Sequence, residues 1–373
     1  MRRLLTITTA WRLCLTFAAL LLAAAPLRAE QVVDLYTAEV LVATQSAADR
    51  ERAAREAFAA LVVRVSGDTG AMEQSAVREA SRRAQDFVYQ FNYASTDDTI
   101  EVDGEERPAT RLVLKFSPVE IEQLLRSAEL SLWPANRPAV LYWLVARDDD
   151  GVQRVTGSQE RDWLKEQAVL RGLPLISPLD DLQDRLALSA RQLWDLDREA
   201  IRSASARYDS DAVLVGRYSE TSSGEWRSDW QLYHGMGNYG FNVNAESKQA
   251  MIASAVDVLA DHFASLYAIV PREEGPDTLV LQLSNIEGFG AYKAAETYLE
   301  DLAMVRRVEM ISVRPGVLLF RLVTEGDVER LLSTLKLDSQ LVPAAQSGHV
   351  SLVGDRFQPQ GTMANPLVYT WEP

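Results

Sequence analysis

A single cysteine, Cys14, stands in 373 residues. Without a second thiol no intrachain disulfide can form, and cysteine-based metal sites are excluded with it. Histidine is nearly as scarce. His234, His262 and His349 are the whole set, and no two lie three or four positions apart, so no helical metal-ligand pair exists. A G-x-S-x-G nucleophile elbow is missing. Basic patches are missing too: beyond the N-terminal leader the adjacent arginines are Arg82-Arg83 and Arg306-Arg307, against a net charge of −15. Such a surface repels nucleic acid and anionic headgroups, and those arginines read as solvated faces.

Long apolar runs are absent except near the start. Arg2, Arg3 and Arg12 precede an apolar stretch from Leu13 to Ala25, followed by Pro26-Leu27-Arg28-Ala29. This is the pattern of a cleaved export signal over 1–29, with cleavage near Ala29 and a mature chain from Glu30. Removing four arginines and no acid leaves the remainder more acidic still. Arg12-Leu13 before Cys14 is unlike the small-residue approach to a lipidated cysteine, so the expected product is a periplasmic protein without a lipid anchor. Nothing later approaches the roughly 20 apolar residues of a spanning helix, so no transmembrane segment is expected after cleavage. Without disulfides the fold must rest on burial, and 47% hydrophobic residues supply two or three ordinary cores.

Residues 30–132 read as an N-terminal α+β domain. A strand over 32–43 precedes a helix capped by Ser46 or Asp49, with Ala54, Phe58, Leu61 and Val65 inward and Gly67 as its stop. Val77, Ala80, Ala84, Phe87, Val88 and Phe91 share one stripe and predict a second helix. Thr99–Val102 and Arg111–Phe116 predict a hairpin around Asp103-Gly104. Ser117-Pro118 caps a short helix through Ile121, Leu124 and Leu125. Trp133-Pro134-Ala135-Asn136-Arg137-Pro138 then breaks both periodicities and marks a boundary.

A middle α/β-sandwich domain spans 138–270. Ala139–Ala146 (AVLYWLVA) and Asp211–Tyr218 (DAVLVGRY) have no alternation, as expected of strands covered on both faces. Asp148–Gly151 reads as a turn, since its adjacent aspartates lack the alternate spacing of a calcium loop. Helices begin near Ser158 and Ser189, where Gln192 completes a capping-box pattern; Asp195, Asp197 and Glu199 are helix-start acids. Trp226, Ser228, Trp230 and Leu232 alternate with Arg227, Asp229, Gln231 and Tyr233, a half-exposed strand opening a hairpin candidate from Trp226 to Phe241. Met251 to Leu266 is a long helix with His262 at its core edge.

Pro271–Pro276 reads as a linker into a domain over 277–343 with β-α-β-β-α-β order, which is ferredoxin-like. A Gly- and Pro-rich tail, 344–373, carries two short strand candidates, Val350–Val353 and Leu367–Trp371. The expected class is therefore α+β: three small α/β-sandwich domains in tandem.

Gly235-Met-Gly-Asn-Tyr-Gly240 matches the dinucleotide fingerprint in letters only. Extended chain follows it where a helix should start, so it reads as a flexible loop exposing Tyr239 and Phe241 as a contact surface. Trp226 and Trp230 offer an indole pair suited to sugar stacking, although inward strand positions are usually core. No residue is assigned as catalytic, and no metal or cofactor is expected; with 53 acids an acid-pair hydrolase cannot be located by pairing them.

The exported start, the helix Arg55-Glu-Ala-Phe-Ala-Ala-Leu-Val-Val-Arg-Val-Ser-Gly-Asp68 and the layout of 138–270 resemble an uncharacterised Gram-negative envelope family, a domain of unknown function. By topology the middle unit resembles the N-terminal domain type of TolB. The resemblance implies a periplasmic address and supplies no catalytic residues. The expected role is non-enzymatic docking or assembly with other envelope proteins. Peptidoglycan glycan binding is the alternative and acid-pair hydrolysis the second alternative.

Overall fold

Past strand β1 (Thr37–Val42), the Ser46 hydroxyl accepts from the amide of Asp49 and caps the start of helix α1 (Ala47–Ser66). The computed structural model describes residues 34–102, 104–235, 237–270, 277–324, 328–337, 340–344, 361–363 and 365–372. The expected export signal with Cys14, the 271–276 linker, His349 and the Val350–Val353 candidate lie outside them. Helices and strands are mixed throughout, in an α+β arrangement with three separate sheets.

The first sheet is antiparallel, in the order β1-β3-β2, with β2 at Val88–Val102 and β3 at Glu105–Phe116. The hairpin is longer than its sequence signal, because pairing resumes beyond a bulge between Ser95 and Thr99. The second helix is shorter than predicted. It stops at Arg82 (α2, Ser75–Arg82), a 3-10 turn covers Ala84–Phe87, and Val88 already belongs to β2. The stripe was real at Val77, Ala80 and Ala84, which are buried. The next residues, Val-Tyr-Gln-Phe-Asn-Tyr, are strand formers with a partner in β3, and that pairing overrides the helical period. Phe91, expected inward, is consequently exposed. Ser117 and Pro118 cap α3 (Pro118–Ser127) as expected.

The second sheet runs β5-β4-β7-β8-β9, with β4 at Val140–Asp148, β5 at Gly151–Arg154, β7 at Ala212–Glu220, β8 at Trp226–His234 and β9 at Gly237–Ala245. A two-residue strand, β6 (Leu175–Ile176), pairs with β4. The unalternating runs are explained directly. On β4, Val140, Tyr142 and Leu144 face one apolar layer while Leu141, Trp143 and Val145 face the other. Helices α4 (Ser158–Arg171) and α8 (Lys248–Tyr267) cover the first face. The second is covered from α5 (Leu182–Ala187), α6 (Ala190–Trp194) and α7 (Arg198–Ser205), with Ile201 and Ala204 of α7 in that layer. The capping box of Ser189 and Gln192 forms, and Asp197 caps α7.

The third sheet holds β10 (Asp277–Ile286), β11 (Val305–Arg314), β12 (Gly316–Thr324), β13 (Leu341–Pro343) and β14 (Leu367–Trp371), with α9 (Gly288–Asp301) and α10 (Val328–Leu335) in the connections. The β-α-β-β-α-β order is present, with one addition to the sheet. Strand β14 from the tail enters between β10 and β13, parallel to the former and antiparallel to the latter. Leu367, Tyr369 and Trp371 alternate inward, so this end of the tail is core.

The 133–138 break is no loose tether. Trp133 is fully buried, Leu132 and Ile269 exchange backbone hydrogen bonds, and Asn136 donates to the carbonyl of Thr334 on α10. Arg137 donates to the carbonyls of Arg64, Trp133, Pro134, Arg171 and Gly172. Two prolines stop helix and sheet here, and the freed chain threads through the place where elements of all three sheets meet.

Candidate functional site

The β8–β9 hairpin carries the contact residues expected from sequence. Trp226, Ser228, Trp230 and Leu232 do share the inward face of β8. Trp230 is only 2% exposed. Its indole lies across β7 at Gly216, where a Cβ would come within 2.4 Å of the ring, so glycine is what admits it. The indole N–H donates to Ser228 Oγ at 2.8 Å, and Phe241 stacks on the ring at 6.2 Å with planes 7° apart. Trp226 is half-buried, edge-on to Tyr218, with the Lys248 ammonium 4.9 Å above it. The two indoles therefore form no open platform for a sugar. Trp230 is core, and Phe241 is the layer over it.

Gly235–Phe241 is a correction. Residues 237–241 are the start of β9, paired with β8 from Gly237 opposite His234, and Gly235, at φ +57°, lies in the turn. No helix begins at the glycines, so no row of free amides is aimed at a phosphate. Tyr239 and Phe241 are half-buried, because alternate residues of β9 point toward α8. Tyr239 stacks on His262 at 3.9 Å with planes 7° apart. His234, opposite the turn, meets the Tyr267 hydroxyl at 3.0 Å through Nε2. Burial lowers the pKa of both imidazoles; Asp211 partly opposes this at His234, and His234 itself adds to it at His262. What the hairpin leaves open is its outer edge. Among the described residues strand β9 has no neighbour beyond it, and Gly-Asn-Tyr-Gly-Phe-Asn-Val-Asn-Ala contains no charge.

A second surface was passed over in the sequence. Leu179, Leu182 and Leu186 are 66%, 71% and 79% exposed on and before α5. Their spacing is helical and would ordinarily mark a buried stripe. Here Asp184 and Leu188 take the inward positions instead. The reason is a polar network under the segment. Arg154 Nη2 pairs with Asp180 at 2.5 Å while its Nη1 donates to the carbonyls of Asp184 and Leu188. Arg207 pairs with Asp181 and Asp184. Tyr208 donates its hydroxyl proton to Asp184 and accepts from the amide of Leu179. Asp181 also caps α5, and the Arg207 hydrogen bond, followed by the Asp184 amide, lowers its carboxyl pKa to about 2. The three leucines thus stand out from a backbone fixed at several points. The available signal was the run Pro178-Leu-Asp-Asp-Leu-Gln-Asp-Arg-Leu, whose acids outnumber what an inward stripe tolerates.

The acids that approach one another are engaged by arginines. Asp257 and Asp261 converge on Arg171, as Asp181 and Asp184 do on Arg207. A cavity of about 240 Å³ beside the 133–138 segment is lined by Tyr36, Glu122, Asn136, Asp301, Met304 and Leu331. Glu122 accepts from Tyr36 at 2.9 Å and lies 3.4 Å from Arg126, and burial, then this carboxylate, raises the Tyr36 pKa. Asp148 to Gly151 is a plain hairpin turn, with Asp148 accepting from the Asp150 amide. Among the described residues, no group of His, Cys, Asp and Glu is arranged to hold a metal, and no helix is long and apolar enough to cross a membrane.

The comparisons with known proteins name no role. No curated protein matches the chain. A solved structure titled "Crystal structure of uncharacterized protein" aligns at 10% identity over 35% of this chain and 88% of its own, with a TM-score of 0.14. Nothing in these matches indicates an enzymatic activity. Residues 29–134, the first sheet with its helices, match the family model described as Domain of unknown function (DUF8605).

Proposed function

We propose that the chain is a non-enzymatic docking or assembly protein of the cell envelope, exported to the periplasm, and that the leucine ledge of 179–186 seats another envelope protein. The observation that carries the reading is three leucines held in water by a partly buried polar network. A side chain that could collapse inward would do so, and this backbone forbids it. Burying one leucine is worth about 1.5 to 3 kcal/mol, so the ledge supplies roughly 5 kcal/mol before the costs of association. That is a hot spot inside a larger contact and too little to be the whole of it. The fitting partner presents an apolar helix stripe to this short row, with a basic rim that suits a net charge of −15.

Cross-linking in intact cells at native expression, followed by purification, tests the reading. The wild-type chain is expected to yield a reproducible adduct that Leu182→Ser with Leu186→Ser removes while the thermal melt stays unchanged. An adduct insensitive to both serines contradicts it.

A further inference from the structure

The free edge of the second sheet supports a separate conclusion. Exposed edge strands are normally blunted with charge, proline or bulges, because a bare edge templates pairing with another chain. The other long edges obey this. Strand β2 carries Asp97, Asp98 and Glu101, and β11 carries Arg306, Arg307, Glu309 and Arg314 with two irregularities in its register. Strand β9 has nine residues, no charge, no proline and an unbroken register with β8.

The helix above the edge continues the pattern. His262 on α8 stacks on Tyr239, which places its helical neighbours Val258 and Ser254, four and eight positions earlier, in one row beside the edge. That row is uncharged, while the acids Asp257 and Asp261 of α8 are turned to Arg171 on α4. A chain of net charge −15 repels copies of itself, so self-association needs a surface without charge. Strand β9 itself carries none, and Arg198 of α7 donates to Asn238 Oδ1 beside it.

We propose that β9 pairs antiparallel with β9 of a second copy, making one continuous sheet across a two-fold axis at Phe241. Only two residues separate His234 from Gly237, so that closing pair is hydrogen-bonded and every second residue of β9 spends its amide on β8. Asn238, Gly240, Asn242 and Asn244 turn theirs to the free edge. Full overlap of Gly237–Ala245 then sets Phe241 opposite Phe241 of the second copy, Tyr239 opposite Val243, Gly240 opposite Asn242 and Asn238 opposite Asn244. The central pair is of the non-hydrogen-bonded kind, where side chains approach most closely, and it extends the Trp230–Phe241 stack into the second copy. Nine residues at about 3.4 Å span about 30 Å, and a sheet with one helix layer is roughly 20 Å thick. The contact is thus about 600 Å² per copy or about 1,200 Å² in total, above the ~1,000 Å² expected of a specific interface.

Sedimentation velocity on the protein purified after expression of the full chain, across micromolar concentrations, reads the outcome. The wild type is expected to sediment as a dimer. Asn238→Lys with Asn244→Lys sets like charges opposite each other twice and should weaken self-association by at least about tenfold. Asn238→Lys with Asn244→Glu sets opposite charges there and should keep the dimer. If the double lysine variant misfolds by circular dichroism, Asn242→Pro serves in its place, since it removes an amide that the chain's own ladder does not use. A wild type that remains monomeric throughout the range, or a dimer indifferent to these substitutions, overturns the proposal. The leucine ledge is not part of this edge, so either surface can fail its test without the other.

Discussion

The guanidinium of Arg137 lies 3.8 Å above the ring of Trp133, and both side chains are buried where α1 and α4 end. The cation has no carboxylate partner among its hydrogen bonds. It donates instead to five carbonyls, including Arg64 in the last turn of α1 and Arg171 at the end of α4. Helix C-termini offer unpaired carbonyls and partial negative charge, so one arginine satisfies two helix ends at once. Burial, then the neighbouring Arg64, pushes its pKa well down. Gly172, at φ +66°, leaves the space: a Cβ there would sit 2.4 Å from Nη1.

Arg137→Met should cost at least about 3 kcal/mol, because the carbonyls of two helix ends stay buried without a donor. A lowered midpoint in urea with the slope unchanged is the expected result. Arg137→Lys should recover only part, since an ammonium cannot span five acceptors in a plane.

Tyr208→Phe removes a hydroxyl that serves both Asp184 and the Leu179 amide. A loss of about 1 to 2 kcal/mol is expected. Hydrogen exchange should show faster exchange at 179–186, with β4 and β7 unaffected.

Acid should weaken the fold through His234 and His262. Their folded pKa values are depressed by burial, so their contribution is fully present above the unfolded value of 6.5 and is lost as pH falls through the folded values. Between pH 7 and pH 5 the thermal midpoint should therefore drop. In the double variant His234→Gln, His262→Gln that slope should flatten, and an unchanged slope would show that other groups govern it.

Truncation after residue 360 removes β14 from between β10 and β13. The buried faces of Leu281 and Leu283 would lose Leu367, Tyr369 and Trp371. The truncated chain should bind a hydrophobic dye and lose stability, where deletion of a trailing tail would do neither.

The sequence disclosed most where one physical cause acted alone. The unalternating β4 and β7 strands, the caps at Ser46, Ser117 and Ser189 and the inward face of β8 were all legible, because double burial, capping and alternation each leave a local mark. Legibility failed where a partner distant in sequence decided the outcome. Val88 left its helical stripe for β3, and Leu367–Trp371 entered the third sheet between β10 and β13. The contact surfaces were the least legible. Phe241 looked exposed because its cover, α8, comes later in the chain, while the exposure of Leu182 and Leu186 rests on Arg154 and Arg207 beneath them, which nothing in the leucine spacing reveals.

Docking through the ledge is the central claim, and site-specific photo-cross-linking in intact cells measures it most directly. A photoreactive side chain at Leu182 is compared with one at Val119, which is 74% exposed but stands apart from any polar network of this kind. A discrete, saturable adduct at position 182 and none at 119 is the predicted result. Equal, diffuse labelling at both positions, or none at either, would contradict the claim.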